Sequence, residues 1–133
     1  MTATSDERRV QSTEDVVAVR QAVRLRAVEL GFSLVDQTKV VTAASELARN
    51  IVQYSEGGRV TIETLERAGR RGLRLTFEDR GPGIPDIGLA MRDGYSTGSG
   101  LGLGLSGARR LSSEFQIDST PGTGTRVVYT RWR

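Results

Sequence analysis

The apolar residues of this chain change period once, and the change falls at the stretch "SEGG", residues 55–58. Before it they recur at helical spacing; after it they alternate. Residues 13–30, "TEDVVAVRQAVRLRAVEL", carry Val16, Val19, Val23, Ala27 and Leu30 on one helical stripe. Ser12 or Thr13 can cap that helix, Glu14 and Asp15 suit its positive end, and Gly31 suits its C-terminus. A second helix is predicted over residues 34–54, with the stripe Val40, Ala44, Leu47, Ile51 and Tyr54. Beyond the break, "RVTIETLE" (59–66) and "GLRLTFED" (72–79) read as strands of a hairpin turning at "RAGR". A short helix near residues 86–93, a helix ending around Ser113, and strands near 115–119 and 124–132 complete the pattern. Helices followed by strands in this order predict an α+β fold. The expected form is a two-layer sandwich with helices on one face of a mixed, mostly antiparallel sheet.

A chain of 133 residues fits one domain, and it can bury roughly two thirds of its unfolded surface without a covalent staple. It contains no cysteine and no histidine. Disulfides, thiolate metal sites, thiol nucleophiles and a phosphohistidine acceptor are thereby excluded, as is the commonest general base. Any chemistry must run on carboxylates, hydroxyls, arginines, backbone amides or a bound ion. The start, "MTATSDERRV", is polar and no apolar run approaches the length of a membrane span, so a cytoplasmic protein without membrane contact is expected. The net charge of +3 comes from arginines interleaved with acidic residues along the chain. Solvated faces and ion pairs explain that pattern better than a nucleic-acid footprint, and three Phe, three Tyr and one Trp supply few stacking platforms. Arg20 and Arg24, one turn apart on the first helix, are either a wet face or a partner-docking surface.

Three groups of residues could carry chemistry. By strand parity Asp79 falls on the side of Leu73, Leu75 and Phe77, and "RGPG" follows at once. Such a carboxylate either opens a turn or serves as an acceptor at the floor of a pocket, suited to an amino group on a planar ligand. In the second case Gly81 and Gly83, lacking a Cβ, would let the backbone approach that ligand. Glu46 and Asn50 share a face of the second helix. They are either surface polarity or a working pair, an Asn oxygen suited to Mg²⁺ and a carboxylate able to take a hydroxyl proton.

The third group is "GSGLGLGLSG", with glycine at every second position from Gly98 to Gly104. "GLGLSG" matches a dinucleotide fingerprint by letter, but turn-like residues precede it where a strand is required. No Gly-Lys-Ser/Thr follows, so it is not a P-loop. A linker would not alternate glycine with leucine and run straight into a helix. Glycines opening onto a helix N-terminus present free amides and a positive dipole end, a phosphate cradle able to act as a lid.

The pieces "SELARN", "EDRGPGIPD", "GSGLGLGL" and "GTGT" occur in the order and spacing of the nucleotide-binding boxes of the Bergerat-fold (GHKL) ATPases. That family includes histidine kinases, gyrase B, MutL and the small anti-sigma kinases. Over nearly the whole chain, "ELGF", "ASELARNI", "EDRGPGIPDI", "DGYSTGSGLGLGL" and the ending "GTGT…RWR" resemble the serine/threonine switch kinases of bacterial stressosome pathways. The resemblance implies ATP and Mg²⁺ as cofactors. Asn50 would bind Mg²⁺ and Glu46 would be the catalytic base. Asp79 would accept from the adenine amino group, with Gly81 and Gly83 making room and Thr125 supporting the ring. The amides of Gly100, Leu101, Gly102, Leu103 and Gly104 would cover the phosphates. The implied partners are a STAS-domain antagonist as substrate, a PP2C-type phosphatase activated by the released kinase, and a stressosome scaffold. The alternative within the same fold is an anti-sigma factor that sequesters an RNA polymerase sigma subunit.

Overall fold

The computed structural model describes residues 5–81, 104–120 and 122–133. In chain order they form β1 (Ser5–Val10), α1 (Thr13–Glu29), α2 (Leu34–Tyr54), β2 (Gly58–Arg67), β3 (Arg70–Asp79), α3 (Gly104–Arg110), β4 (Glu114–Thr120) and β5 (Gly124–Trp132). The expected helix near residues 86–93 lies outside the described residues.

Local chemistry accounts for the element ends. Ser12 caps α1 in a full capping box, its hydroxyl accepting from the Asp15 N–H while the Asp15 carboxylate accepts from the Ser12 N–H. At the other end Gly31, at φ +80°, closes a Schellman motif: its N–H donates to Val28 O and the Phe32 N–H to Ala27 O. Ser33 then caps α2 through the Asp36 N–H. The β2–β3 hairpin turns on Ala68 and Gly69, both at positive φ, between the paired residues Arg67 and Arg70.

The strands form one sheet in the order β1-β2-β3-β5-β4, and every pairing is antiparallel. Two features go beyond the sequence reading. No parallel pairing occurs among the described residues, where a mixed sheet was expected. The polar N-terminus supplies an unforeseen edge strand, β1, whose only buried residue is Val10.

The helices bury one face of this sheet. Val16, Val19, Val23 and Ala27 of α1, with Val40, Ala44, Leu47 and Ile51 of α2, meet Val60, Ile62, Leu73, Leu75, Phe77, Val127 and Tyr129 in a single core. The stripe foreseen on α2 holds except at its end, where Tyr54 is exposed. Helix α3 adds Ala108 and packs on α2. Its C-terminal carbonyl, Leu111 O, accepts from both the Tyr129 hydroxyl and Arg131 Nη1 at 2.7 Å, while Arg131 Nη2 reaches Asp36 at 2.8 Å. One side chain thus ties α3, β5 and the start of α2. No helix among the described residues is long and apolar enough to cross a membrane.

Candidate functional site

Strand β3 ends at Asp79, and the parity inferred from sequence holds: Leu73, Leu75 and Phe77 are buried and Asp79 follows on their side, half-buried. Its Oδ1 accepts from two backbone amides, Gly81 N at 2.9 Å and Thr125 N at 3.2 Å. The first bond is the local turn-opening interaction. The second crosses the sheet, because Thr125 is the register partner of Asp79 on β5. The Thr125 hydroxyl in turn lies 3.0 Å from Ser119 Oγ on β4. Asp79 and Thr125, far apart in sequence, are therefore one unit held by backbone.

The surroundings of Asp79 are crowded by main chain. Gly58 is its register partner on β2, and a Cβ there would meet Glu78 O and the Asp79 Cα. A Cβ on Gly124, at φ +145°, would collide with Asp79 O. Sequence reasoning missed both glycines. Their signal was present, "GG" before a strand and "GTGT" before another, but only the register reveals that both flank one aspartate. Gly81 is buried, and its missing Cβ would lie 2.7 Å from Ser55 Cβ. Its smallness is therefore already required by protein, whatever else approaches it.

Ser55 is the C-cap of α2, and its hydroxyl accepts from Gly57 N and donates to Ile51 O. This junction brings the C-terminal end of α2 to the Asp79 end of β3. Glu46 and Asn50 lie on that C-terminal half, half-buried at the rim of the helix's apolar stripe. Glu46 Oε1 pairs with Arg49 Nη1 at 3.3 Å, and Arg49 Nη2 also donates to Ser45 Oγ at 3.3 Å. The carboxylate is positioned by its own helix.

Helix α3 begins at Gly104 and packs on α2, so the last glycine of the alternating run opens a helix beside Glu46 and Asn50's element. Gly83, Gly100, Leu101, Gly102 and Leu103 lie outside the described residues. Arg20 and Arg24 are exposed on α1, Arg24 Nη1 reaching Gln37 Oε1 at 3.4 Å.

No group of three or more acidic residues that could hold a metal occurs among the described residues. A half-buried Asn oxygen beside a single carboxylate instead fits Mg²⁺ carried on phosphates, which takes only one or two protein ligands. An aspartate with one oxygen fixed by two amides fits recognition of an exocyclic amino group. The residues present fit a magnesium nucleotide.

Comparison with known proteins identifies the family. Residues 35–132 match the histidine kinase-, DNA gyrase B-, and HSP90-like ATPase family, and the chain belongs to that family. It is similar to the serine/threonine-protein kinase RsbT of Bacillus subtilis, with 48% identity over 124 residues covering 93% of each chain. An anti-sigma F factor of Thermoanaerobacter is 30% identical over 118 residues, 85% of this chain and 82% of the relative. Among solved structures, the RsbU and RsbW domains of a Mycobacterium tuberculosis protein superpose with a TM-score of 0.66 at 23% identity, covering 100% of this chain and 33% of that one. The mycobacterial sensor histidine kinase MprB gives 0.57 at 20% identity, covering 96% and 97%. These two likenesses establish the fold alone.

Proposed function

We propose that the chain is a serine/threonine protein kinase that transfers the γ-phosphoryl group of Mg-ATP to a STAS-domain partner in a bacterial partner-switching pathway. Once released from that partner it activates a PP2C-type phosphatase, and a stressosome scaffold is a further partner. The observation that supports this reading is the Asp79–Thr125 unit, which holds one carboxylate oxygen between two backbone amides at the end of β3. The similarity to RsbT supports the choice of reaction.

When bound, Mg-ATP supplies the phosphoryl group and the ion that offsets charge on its oxygens. The chain's own residues bind and orient. Asp79, its carboxylate already fixed through Oδ1, would accept from the adenine amino group, with Gly81 and Gly83 making room and Thr125 supporting the ring. Asn50 offers a neutral oxygen to the ion. Glu46, steadied by Arg49, takes the proton of the attacking hydroxyl. The amides from Gly100 to Gly104 would cover the phosphates. With no histidine in the chain, a carboxylate is the available base. Catalysis is then mostly positioning and charge neutralisation.

Equilibrium binding of a fluorescent ATP analogue to the parent and to Asp79→Asn tests the adenine assignment. The variant should bind at least tenfold more weakly, about 1.4 kcal/mol; equal affinity refutes the assignment. Glu46→Gln should keep nucleotide binding and lose phosphotransfer to a STAS partner.

A second reading is kept because anti-sigma F factors are also similar to this chain. In it, the same nucleotide-bound surface sequesters a sigma subunit. Affinity capture with the purified chain separates the two: STAS and phosphatase proteins support the kinase, a sigma subunit the alternative.

A further inference from the structure

Away from the nucleotide end, the opposite end of the sheet carries an open cleft of about 450 Å³ lined by Arg67, Ala68, Arg70, Ser113, Glu114 and Trp132. Trp132 is the only tryptophan of the chain. Its ring covers Gly72, whose missing Cβ would stand 2.5 Å from Cε3. The Arg67 guanidinium sits 4.7 Å from the ring centroid and that of Arg70 5.9 Å. The indole Nε1–H donates to Glu114 Oε2 at 2.7 Å, and Arg67 Nη1 reaches the same oxygen at 3.2 Å. The one acidic residue of the lining is therefore already engaged, and these donors hold its carboxyl below the usual range.

Within the lining Glu114 pairs with Arg67, and Arg70 has no carboxylate partner among the described residues. Besides the Trp132 ring, Arg70 reaches Arg133 O, its Nη2 donating at 3.5 Å. Farther along β3, Arg71 and Arg74 stand opposite Glu66 and Glu63 of β2, and Arg133 donates its N–H to Arg71 O. Arg74 Nε is buried without a hydrogen-bond partner among the described residues. The other end of the same sheet face is built differently. There Arg59 pairs with Glu7 and Glu78, and Glu78 also with Arg126, a ladder in which each cation faces an anion. At the cleft end Arg70 is the lining cation left without a carboxylate among the described residues, and it stands beside an aromatic ring.

We propose that this cleft docks an acidic segment of a partner protein. A carboxylate of that segment meets Arg70, and a neighbouring apolar side chain lies against the Trp132 ring. Arginine forks match carboxylates in geometry, and Trp and Arg are the residues that concentrate binding energy at interfaces. One indole in a cleft of this size offers a single stacking platform, which disfavours a nucleic-acid strand needing successive ones. The site is independent of the nucleotide site.

Because Trp132 is unique, its fluorescence reports the cleft directly. The full chain is titrated with a hexaglutamate peptide, with hexaglutamine, with inorganic phosphate and with a hexauridine strand. The proposal expects a saturable change in Trp132 emission with hexaglutamate that weakens with added salt, and no saturable change with hexaglutamine or phosphate. Arg70→Ala should weaken hexaglutamate binding roughly fivefold and Arg71→Ala, on the other side of β3, should not, with circular dichroism and ATP binding unchanged in both. Absence of saturation with hexaglutamate overturns the proposal. So does a phosphate response of equal affinity, which makes the cleft a simple anion site, or tighter binding of hexauridine, which makes it a nucleic-acid surface.

Discussion

Leu111 O has two donors and one of them also anchors a second helix, so two substitutions there should cost more together than apart. Tyr129 is fully buried, and burial pushes its hydroxyl well above the usual phenol range, so it donates at every working pH. Tyr129→Phe removes that donor and leaves Leu111 O its bond from Arg131, a loss of about 1 kcal/mol. Arg131→Met keeps most of the apolar stem but removes the bond to Leu111 O and the pair with Asp36, where the side chains are 17% and 30% exposed. Partial exposure screens the pair, and Arg131 Nε is itself buried without a partner among the described residues. A net loss of about 2 kcal/mol follows. In the double variant the carbonyl has neither donor. Leaving a shielded acceptor unsatisfied adds roughly 1–2 kcal/mol, so the total should be about 4–5 kcal/mol and not the 3 kcal/mol of simple addition. Urea unfolding of the four proteins measures this, with unchanged m-values confirming a common two-state transition. Melting temperatures should fall by roughly 4 °C per kcal/mol. If the two losses add to within about 0.4 kcal/mol, water reaches Leu111 O and the shared-acceptor argument fails.

Other consequences follow from the same contacts. The Arg131 hydrogen bond holds the Asp36 carboxyl below its ordinary 3.8, so its stabilisation is present above that value and lost as pH falls through the lowered one. Asp36→Asn should flatten the acid limb of a plot of urea midpoint against pH and leave the neutral region parallel to the parent. Gly124→Ala, strained at φ +145° and driven against Asp79 O, should destabilise by about 2 kcal/mol or more and weaken ATP binding, read by unfolding and by nucleotide titration. Ser12→Ala breaks the capping box of α1 and should cost about 1 kcal/mol in urea unfolding without changing nucleotide affinity.

What the sequence made legible was whatever depends on period and local caps. The bounds of α2 fell on residues 34–54 because a continuous apolar stripe sits between a serine cap and a glycine turn. Asp79 could be placed on the inward side because alternation along β3 has no bulge to break it. Strand β1 was hidden for a physical reason: as an edge it buries only Val10, and "DERR" carries no alternation to read. The crowding of Asp79 by Gly58 and Gly124 was hidden because it depends on register between three strands, which no single stretch encodes. The Trp132 cleft was hidden likewise. Its arginines were visible in "RAGRR", but Gly72 and Trp132 become neighbours only through the pairing of β3 with β5.

The two proposed sites sit at opposite ends of β3. From Arg70 to Asp79 the strand runs roughly 30 Å, on the rise of an extended chain. Between them lies an unbroken antiparallel ladder whose core residues Leu73, Leu75 and Phe77 are almost wholly buried. A packed, regular sheet has no second arrangement to switch into. Coupling over such a distance needs an element with two states that both ligands bias, and the ladder does not provide one. Hexaglutamate at saturation should therefore leave the ATP dissociation constant unchanged, and ATP should leave that of hexaglutamate unchanged, since linkage makes the two effects equal. Docking through the cleft would then raise the local concentration of a partner without altering the nucleotide site. Any control of catalysis by that partner would have to act at the Asp79 end itself.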